Sequence, residues 1–274
     1  MKNLIILLLL IINSQYLLSQ TQISDSTSCK VDKAYIRSLA TDVGPLFLSP
    51  AHWDKGEWIG AGVVMGGAAI LYTQDKVIAD FWQRNRTDAL DKANEYFFDP
   101  LGKMYFTIPL MGAFYIYGAA TRTNKPKRVA MDFVQASLYS GVIVTVMKHL
   151  AHRHRPFQTT PHNPYLWDGP ITDDLNHTSF PSGHTIMTFT FAAVVATHYK
   201  DRIWIPISMY TLATMEGLAR MYDDKHWSTD VLIGGALGYA IGTFVVNRNH
   251  CKLKTIPIIS SNFTGLSFTY PILD

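Results

Sequence analysis

A chain of 274 residues is long enough for one large domain or two small ones. Its residues are 48% hydrophobic and only 16% charged, against roughly 25% charged in ordinary soluble domains, which points to a membrane protein or to an unusually apolar interior. A net charge of +3 with no basic stripe excludes nucleic acid as a partner. The N-terminus, MKNLIILLLLIINSQYLLSQTQ, places one lysine before an apolar run from Leu4 to Ile12, and small or polar residues follow. Residues 1–19 therefore read as a signal peptide cut after Ser19, or as an uncleaved anchor, and both send the chain into an export route. Residues 20–57 form a mixed polar region without a sustained period. Cys29 and Cys251 are the only cysteines; in an oxidising compartment they pair or stay as free thiols.

Six apolar stretches follow, at 58–74, 104–121, 129–147, 185–199, 203–219 and 231–247. They are too long and too free of alternation for strands. Small residues recur in them, as in GAGVVMGGAA and IGGALGYAIG, which suits close helix packing. The expectation is an all-α body, a six-helix bundle over residues 58–250, either membrane-embedded or a compact exported domain. Residues 251–274 differ: the β-branched and aromatic TIPIISSNFTGLSFTYPI predicts an extended tail or a short hairpin.

The charge-free cores of the six stretches are short for the roughly 17–25 residues that a span requires. Asp132 and Glu216 fall near stretch ends, where they would reach the interface. The loop TRTNKPKR at 121–128 carries four basic residues and no acid, and Lys200 and Arg202 mark the loop at 199–202. By the positive-inside rule both loops are cytoplasmic, and the segments ending near Lys148 and Arg220 face outward. A cleaved leader conflicts with this. It leaves residue 20 outside, and three spans would then deliver Lys148 inside.

Three polar clusters stand at helix ends on the outward side. KHLAHRHRPF holds Lys148, Arg155 and Pro156; SFPSGHT holds Pro181, Ser182, Gly183 and His184; ARMYDDKHWSTD holds Arg220, His226 and Asp230. Singly they read as helix-end charges, a turn and a surface pair. Together they make an anion cradle. Arginine forks and a lysine meet phosphate oxygens, Ser182 offers a hydroxyl, and Gly183 lets backbone N–H groups approach at a helix start. His226 and Asp230, at i and i+4, would share a helical face, so the carboxylate fixes the tautomer and leaves the other ring nitrogen as a nucleophile. His184 would protonate the leaving oxygen and later take a proton from water.

Lys-x6-Arg-Pro, then Pro-Ser-Gly-His, then Arg-x5-His-x3-Asp resembles the type 2 phosphatidic acid phosphatase superfamily, which also includes bacterial acid phosphatases and vanadium haloperoxidases. The resemblance covers about residues 130–247 and departs at one point, Ala219 standing where the family often has serine before the arginine. It implies a helical core, a phosphohistidine intermediate at His226 and no metal or other cofactor. The implied partners are membrane lipids and a phosphorylated lipid, or a small phosphate ester if the protein is a soluble periplasmic acid phosphatase.

Rival readings are a metal site among His149, His152, His154, Asp168, Asp173 and Asp174, a vanadate-dependent peroxidase, and a non-catalytic anion-binding membrane protein. Three nearby cations oppose a divalent ion at the cradle, and the chain is short for the peroxidase branch. The loop 157–180, with Tyr165, Trp167 and Asp168, would shape the entrance or anchor the interface.

Overall fold

Each of the six apolar stretches forms a helix. The structure, a computed structural model, describes residues 30–172, 176–250, 254–260 and 263–269, the last two ranges as backbone only. The leader, both cysteines, Asp173 and Asp174 lie outside the described residues. In chain order the helices are α1 (Lys33–Thr41), α2 (Val43–Leu48), α3 (Lys55–Arg84), α4 (Asp88–Ala93), α5 (Met104–Ala120), α6 (Asn124–Ala151), α7 (Gly183–His198), α8 (Trp204–Tyr222) and α9 (Ser228–His250). A π-turn at Asn94–Phe98 and a single helical turn at Asp99–Leu101 continue α4 towards α5. In the tail, β1 (Lys254–Ser260) pairs antiparallel with β2 (Phe263–Thr269), Lys254 opposite Thr269 and Ser260 opposite Phe263.

The expected count of six is therefore too low. The additional helices are short, and α1 and α4 start on polar caps rather than on apolar runs. The Asp32 carboxylate accepts from the Tyr35 N–H at the start of α1, and Thr87 Oγ1 accepts from the Leu90 N–H at the start of α4. The long helices also outrun their apolar cores. α3 opens on a capping box, in which Asp54 accepts from the Glu57 N–H and Glu57 from the Asp54 N–H, and it continues ten residues beyond the apolar stretch that ends at 74.

The core lies between α5, α6, α7 and α9, where Met111, Val129, Phe133, Ala136, Met187, Val194, Ile241 and Val245 bury one another. α7 and α9 cross at backbone distance. A Cβ placed on Gly234 would stand 2.9 Å from the Ser182 carbonyl oxygen, and one on Gly242 would stand 2.8 Å from Ala193 Cβ. Asp132 and Glu216 do not reach an interface; both are buried, Asp132 against His198 and Asn249, Glu216 against Arg220. Each buried carboxylate has a partner, as burial of such a group requires.

α6 and α9 are long and apolar enough to cross a membrane, whereas α5 and α7, at 17 and 16 residues, reach only about 25 Å at 1.5 Å per residue. Exposed apolar side chains are abundant on α3 (Trp58, Ile59, Val63, Ile70) and on α6 (Leu138, Val142, Val146, Leu150).

The helices alternate in direction, and their ends separate two groups of loops. The first turn of α6 and the loop before α8 meet, with Lys125 Nζ 3.8 Å from Asp201 and 4.6 Å from the Tyr199 ring. α1 and α2 belong to that end: Gln135 donates to Asp42, Tyr139 to the Ser38 carbonyl, and Arg248 pairs with Asp42. At the other end lie the last turns of α3, α6 and α8 and the first turns of α7 and α9. Gln83 donates to the Tyr222 carbonyl, and Thr229 donates to Asp75.

Candidate active site

The three polar clusters meet at that second end. Lys148 closes α6, His152 in the left-handed conformation (φ 41°) ends the helix, and the chain turns to bring Arg155 back across the bundle. Pairings of Ser179 N–H with the Arg153 carbonyl and of Trp227 Nε1 with the His154 carbonyl hold this loop down. Ser182 caps α7, His184 follows in its first turn, and Arg220 occupies the last turn of α8. His226 lies not inside a helix but in the turn before α9, whose first turn carries Asp230.

One cavity of about 320 Å³ is lined by Asp99, Lys103, Lys148, Arg155, Gly183, His184, Arg220, Lys225 and His226. Six of the eight residues expected from the sequence are thus in its wall. The other two stand behind it. Ser182 is fully buried, with its hydroxyl engaged by Thr185, so the group expected to touch phosphate serves as a helix cap here. Asp230 is fully buried behind His226.

Five cationic side chains face this space, and each is fixed differently. Lys148 donates to the Thr178 carbonyl, and Arg155 Nη2 donates to Thr178 Oγ1 at 3.2 Å. Arg220 is almost fully buried, with Asp99 at 2.6 Å, Glu216 at 3.1 Å and Asp223 at 3.4 Å. Lys103 pairs with Asp99 and Lys225 with Asp223. Burial draws the Arg155 guanidinium below its ordinary range. Burial would raise the Asp99 carboxyl, but the Lys103 hydrogen bond and the Arg220 charge together hold it low.

Burial favours the neutral form of the His226 imidazole. Burial, with Lys148 and Arg155 nearby, pushes His226 down to about 3 against the pull of Asp230. Neither His184 Nε2 nor His226 Nδ1 has a hydrogen-bond partner among the described residues. His226 Nδ1 stands 3.7 Å from Asp230 Oδ2, beyond a formed hydrogen bond, and such contacts tighten when substrate binds. With Nδ1 on the Asp230 side, Nε2 is the nitrogen left for the cavity. Gly102 packs on the His184 ring so closely that a Cβ there would lie 2.6 Å from Cδ2.

Asp99, Lys103 and Lys225 belong to no recognised spacing, and the sequence offered only their polarity beside apolar stretches. Tyr165 and Trp167 pack on Tyr72 of α3, and Trp167 Nε1 donates to the Tyr72 hydroxyl. Of the residues weighed for a metal, His149 binds the Thr145 carbonyl and His152 the Gly169 carbonyl. His154 and His177 both approach Asp168, at 3.1 and 2.6 Å, the one group of donors among the described residues close enough to share an ion. Their rings stack at 3.4 Å and 20°, and both nitrogens approach the same Asp168 oxygen. This cluster contributes nothing to the cavity wall.

Residues 129–251, which hold all three motifs, match the PAP2 superfamily. The chain is 38% identical over 65 residues to a lipid A 1-phosphatase of Porphyromonas gingivalis, covering 23% of this chain and 15% of that protein. It is 28% identical over 146 residues to the bacitracin transport permease protein BcrC of Bacillus licheniformis, covering 52% of this chain and 68% of the relative. Among solved structures, a transmembrane PAP2-type phosphatidylglycerolphosphate phosphatase from Bacillus subtilis superposes with a TM-score of 0.50 at 20% identity, over 68% of this chain and 94% of that one. This last likeness is one of fold.

Proposed function

We propose that the protein is a metal-independent phosphatase that cleaves a phosphate monoester or diphosphate through a phosphohistidine at His226. The observation that carries this reading is the cavity in which Lys148, Arg155 and Arg220, from three separate segments, face one imidazole. The cations and the Gly183 end of α7 take the non-bridging phosphoryl oxygens, where charge gathers in the transition state. The negative charge of the bound phosphate draws a proton from solvent onto His184; His226 Nε2 forms a bond to phosphorus as the ester P–O bond breaks, and protonated His184 gives that proton to the departing oxygen, returning to the neutral ring. A water then yields its proton to His184 and its oxygen to phosphorus. The P–N bond breaks, inorganic phosphate leaves, and His226 returns neutral. Asp230 steadies the positive ring in between.

The substrate we assign is a phosphorylated lipid, met from the outer side of a membrane in which the helices are embedded. The exposed apolar faces of α3 and α6 favour this over a soluble acid phosphatase acting on small esters. The match to a lipid A 1-phosphatase is consistent with it.

Purified protein should release phosphate from phosphatidate-type lipids with EDTA present, lose activity to vanadate, and acquire acid-labile label on a histidine from ³²P-substrate. His226→Ala should lower turnover by at least about a thousandfold. Undiminished turnover in that variant, or activity that vanishes with the chelator, would refute the mechanism.

A further inference from the structure

Behind His226 lies a buried run of charge that the three motifs do not contain. Arg153, with no exposed surface, donates from Nη1 to Asp230 Oδ1 at 2.6 Å and from Nη2 to Asp75 Oδ2 at 2.7 Å. The rings of Tyr72, Trp167 and Trp227 stand within 5.3 Å of its guanidinium carbon. Asp75, equally buried, comes from α3, outside the segment that matches the superfamily. It also accepts from Ser228 Oγ at 2.6 Å and from the Thr229 N–H and hydroxyl at 3.0 and 2.6 Å. The far oxygen of Asp230 accepts from Ser179 Oγ at 2.5 Å and from the Trp227 N–H at 3.0 Å.

We propose that Asp75 and Arg153 are positioning residues for the reaction at His226, an inference that rests on the phosphohistidine reading. Phosphorylation makes the ring positive, and Asp230 is the carboxylate placed to support that charge. Arg153 fixes Asp230 in direction but cancels its charge. Asp75 restores it, so that the three groups together present a net −1 behind the imidazole. A buried ion triad is by itself no source of stability. Its contact with Asp230 gives this one a role in the reaction.

Asp75→Asn keeps the shape and removes one charge. Its kcat should fall about 30-fold with KM unchanged within about threefold, and phosphoenzyme labelling should slow in parallel. The double variant Asp75→Asn/Arg153→Gln returns the net charge to −1 while Ser179 and the Trp227 N–H still hold Asp230. Its kcat should recover about tenfold over the single variant. A brace that is merely structural predicts the double variant to be no better than the single, and that result overturns the inference, as does a loss confined to KM. If the single variant yields no folded protein, the double is compared with the unaltered chain. Labelling within about tenfold supports the inference, and a loss beyond about a hundredfold in folded protein overturns it. Absence of phosphoenzyme in the unaltered protein would instead remove the reading beneath.

Discussion

Asp99 lies on the clamp that a phosphate would use. Its carboxylate is 2.6 Å from Arg220 Nη1, pairs with Lys103, and stands 4.0 Å from His184 Nε2. On the phosphatase reading, a phosphoryl group held by Arg220 would also face this like charge. Glu216 and Asp223 hold the guanidinium from other sides, so Asp99 can be neutralised without releasing it. Asp99→Asn should therefore tighten vanadate inhibition by about tenfold, the gain expected from removing one like charge a few ångströms away at moderate dielectric. Weaker inhibition would mean that Asp99 aims Arg220 rather than competes for it. The sequence shows why such residues are hard to foresee. Lys148, Arg155, Gly183, His184, Arg220 and His226, which line one cavity, were legible because their types and local spacings are those a phosphate cradle would need. Asp99 and Asp75 have roles set only by what folds against them: Asp75 meets Arg153 across 78 positions, a separation with no local pattern. Ser182 was legible as a position, but its hydroxyl turned to the helix cap.

Helix α7 carries His184 and helix α9 carries Asp230 on their first turns, so their mutual approach sets the distance between the two. Glycines 234, 238 and 242, one turn apart, make that approach possible. A Cβ on Gly238 would press on the Ile186 carbonyl and stand 2.9 Å from Phe189 Cβ. The obstacles are backbone and first side-chain atoms, which cannot swing aside. Gly238→Ala should cost about 1–3 kcal/mol of stability, seen as a lower midpoint in thermal unfolding in detergent, and should slow turnover. An unchanged midpoint would mean that the two helices part without penalty. At this scale the sequence was informative about which residues are helical and that small residues would meet. It was silent on α1, α2 and α4, because helices of six to nine residues take their stability from tertiary contact rather than from their own length.

Loop charge and site position bear on one another through the alternation of the helices. The first turn of α6, carrying Lys125, and the loop carrying Lys200 share one end of the bundle, with α1 and α2, and the cavity is at the other. α3 runs from the first end to the second, since Asp75 and Gln83 contact the site end. Six crossings from there bring α6 and α8 to the cavity end and α9 back. If the basic loops are cytoplasmic, the cavity faces out and residues 33–54 lie inside. The earlier conflict then rests wholly on the cleaved leader, which would have put those residues outside. A direct test uses single cysteines in a background without Cys29 and Cys251. Ile171, on the site-side loop, is 93% exposed, and Lys200 is exposed on the opposite side. In intact spheroplasts a membrane-impermeant maleimide should label Ile171→Cys and leave Lys200→Cys untouched until lysis. The reverse pattern would place the cavity inside. Labelling of both, with the protein recovered free of membranes, would favour the soluble reading and move the substrate from lipids to small esters.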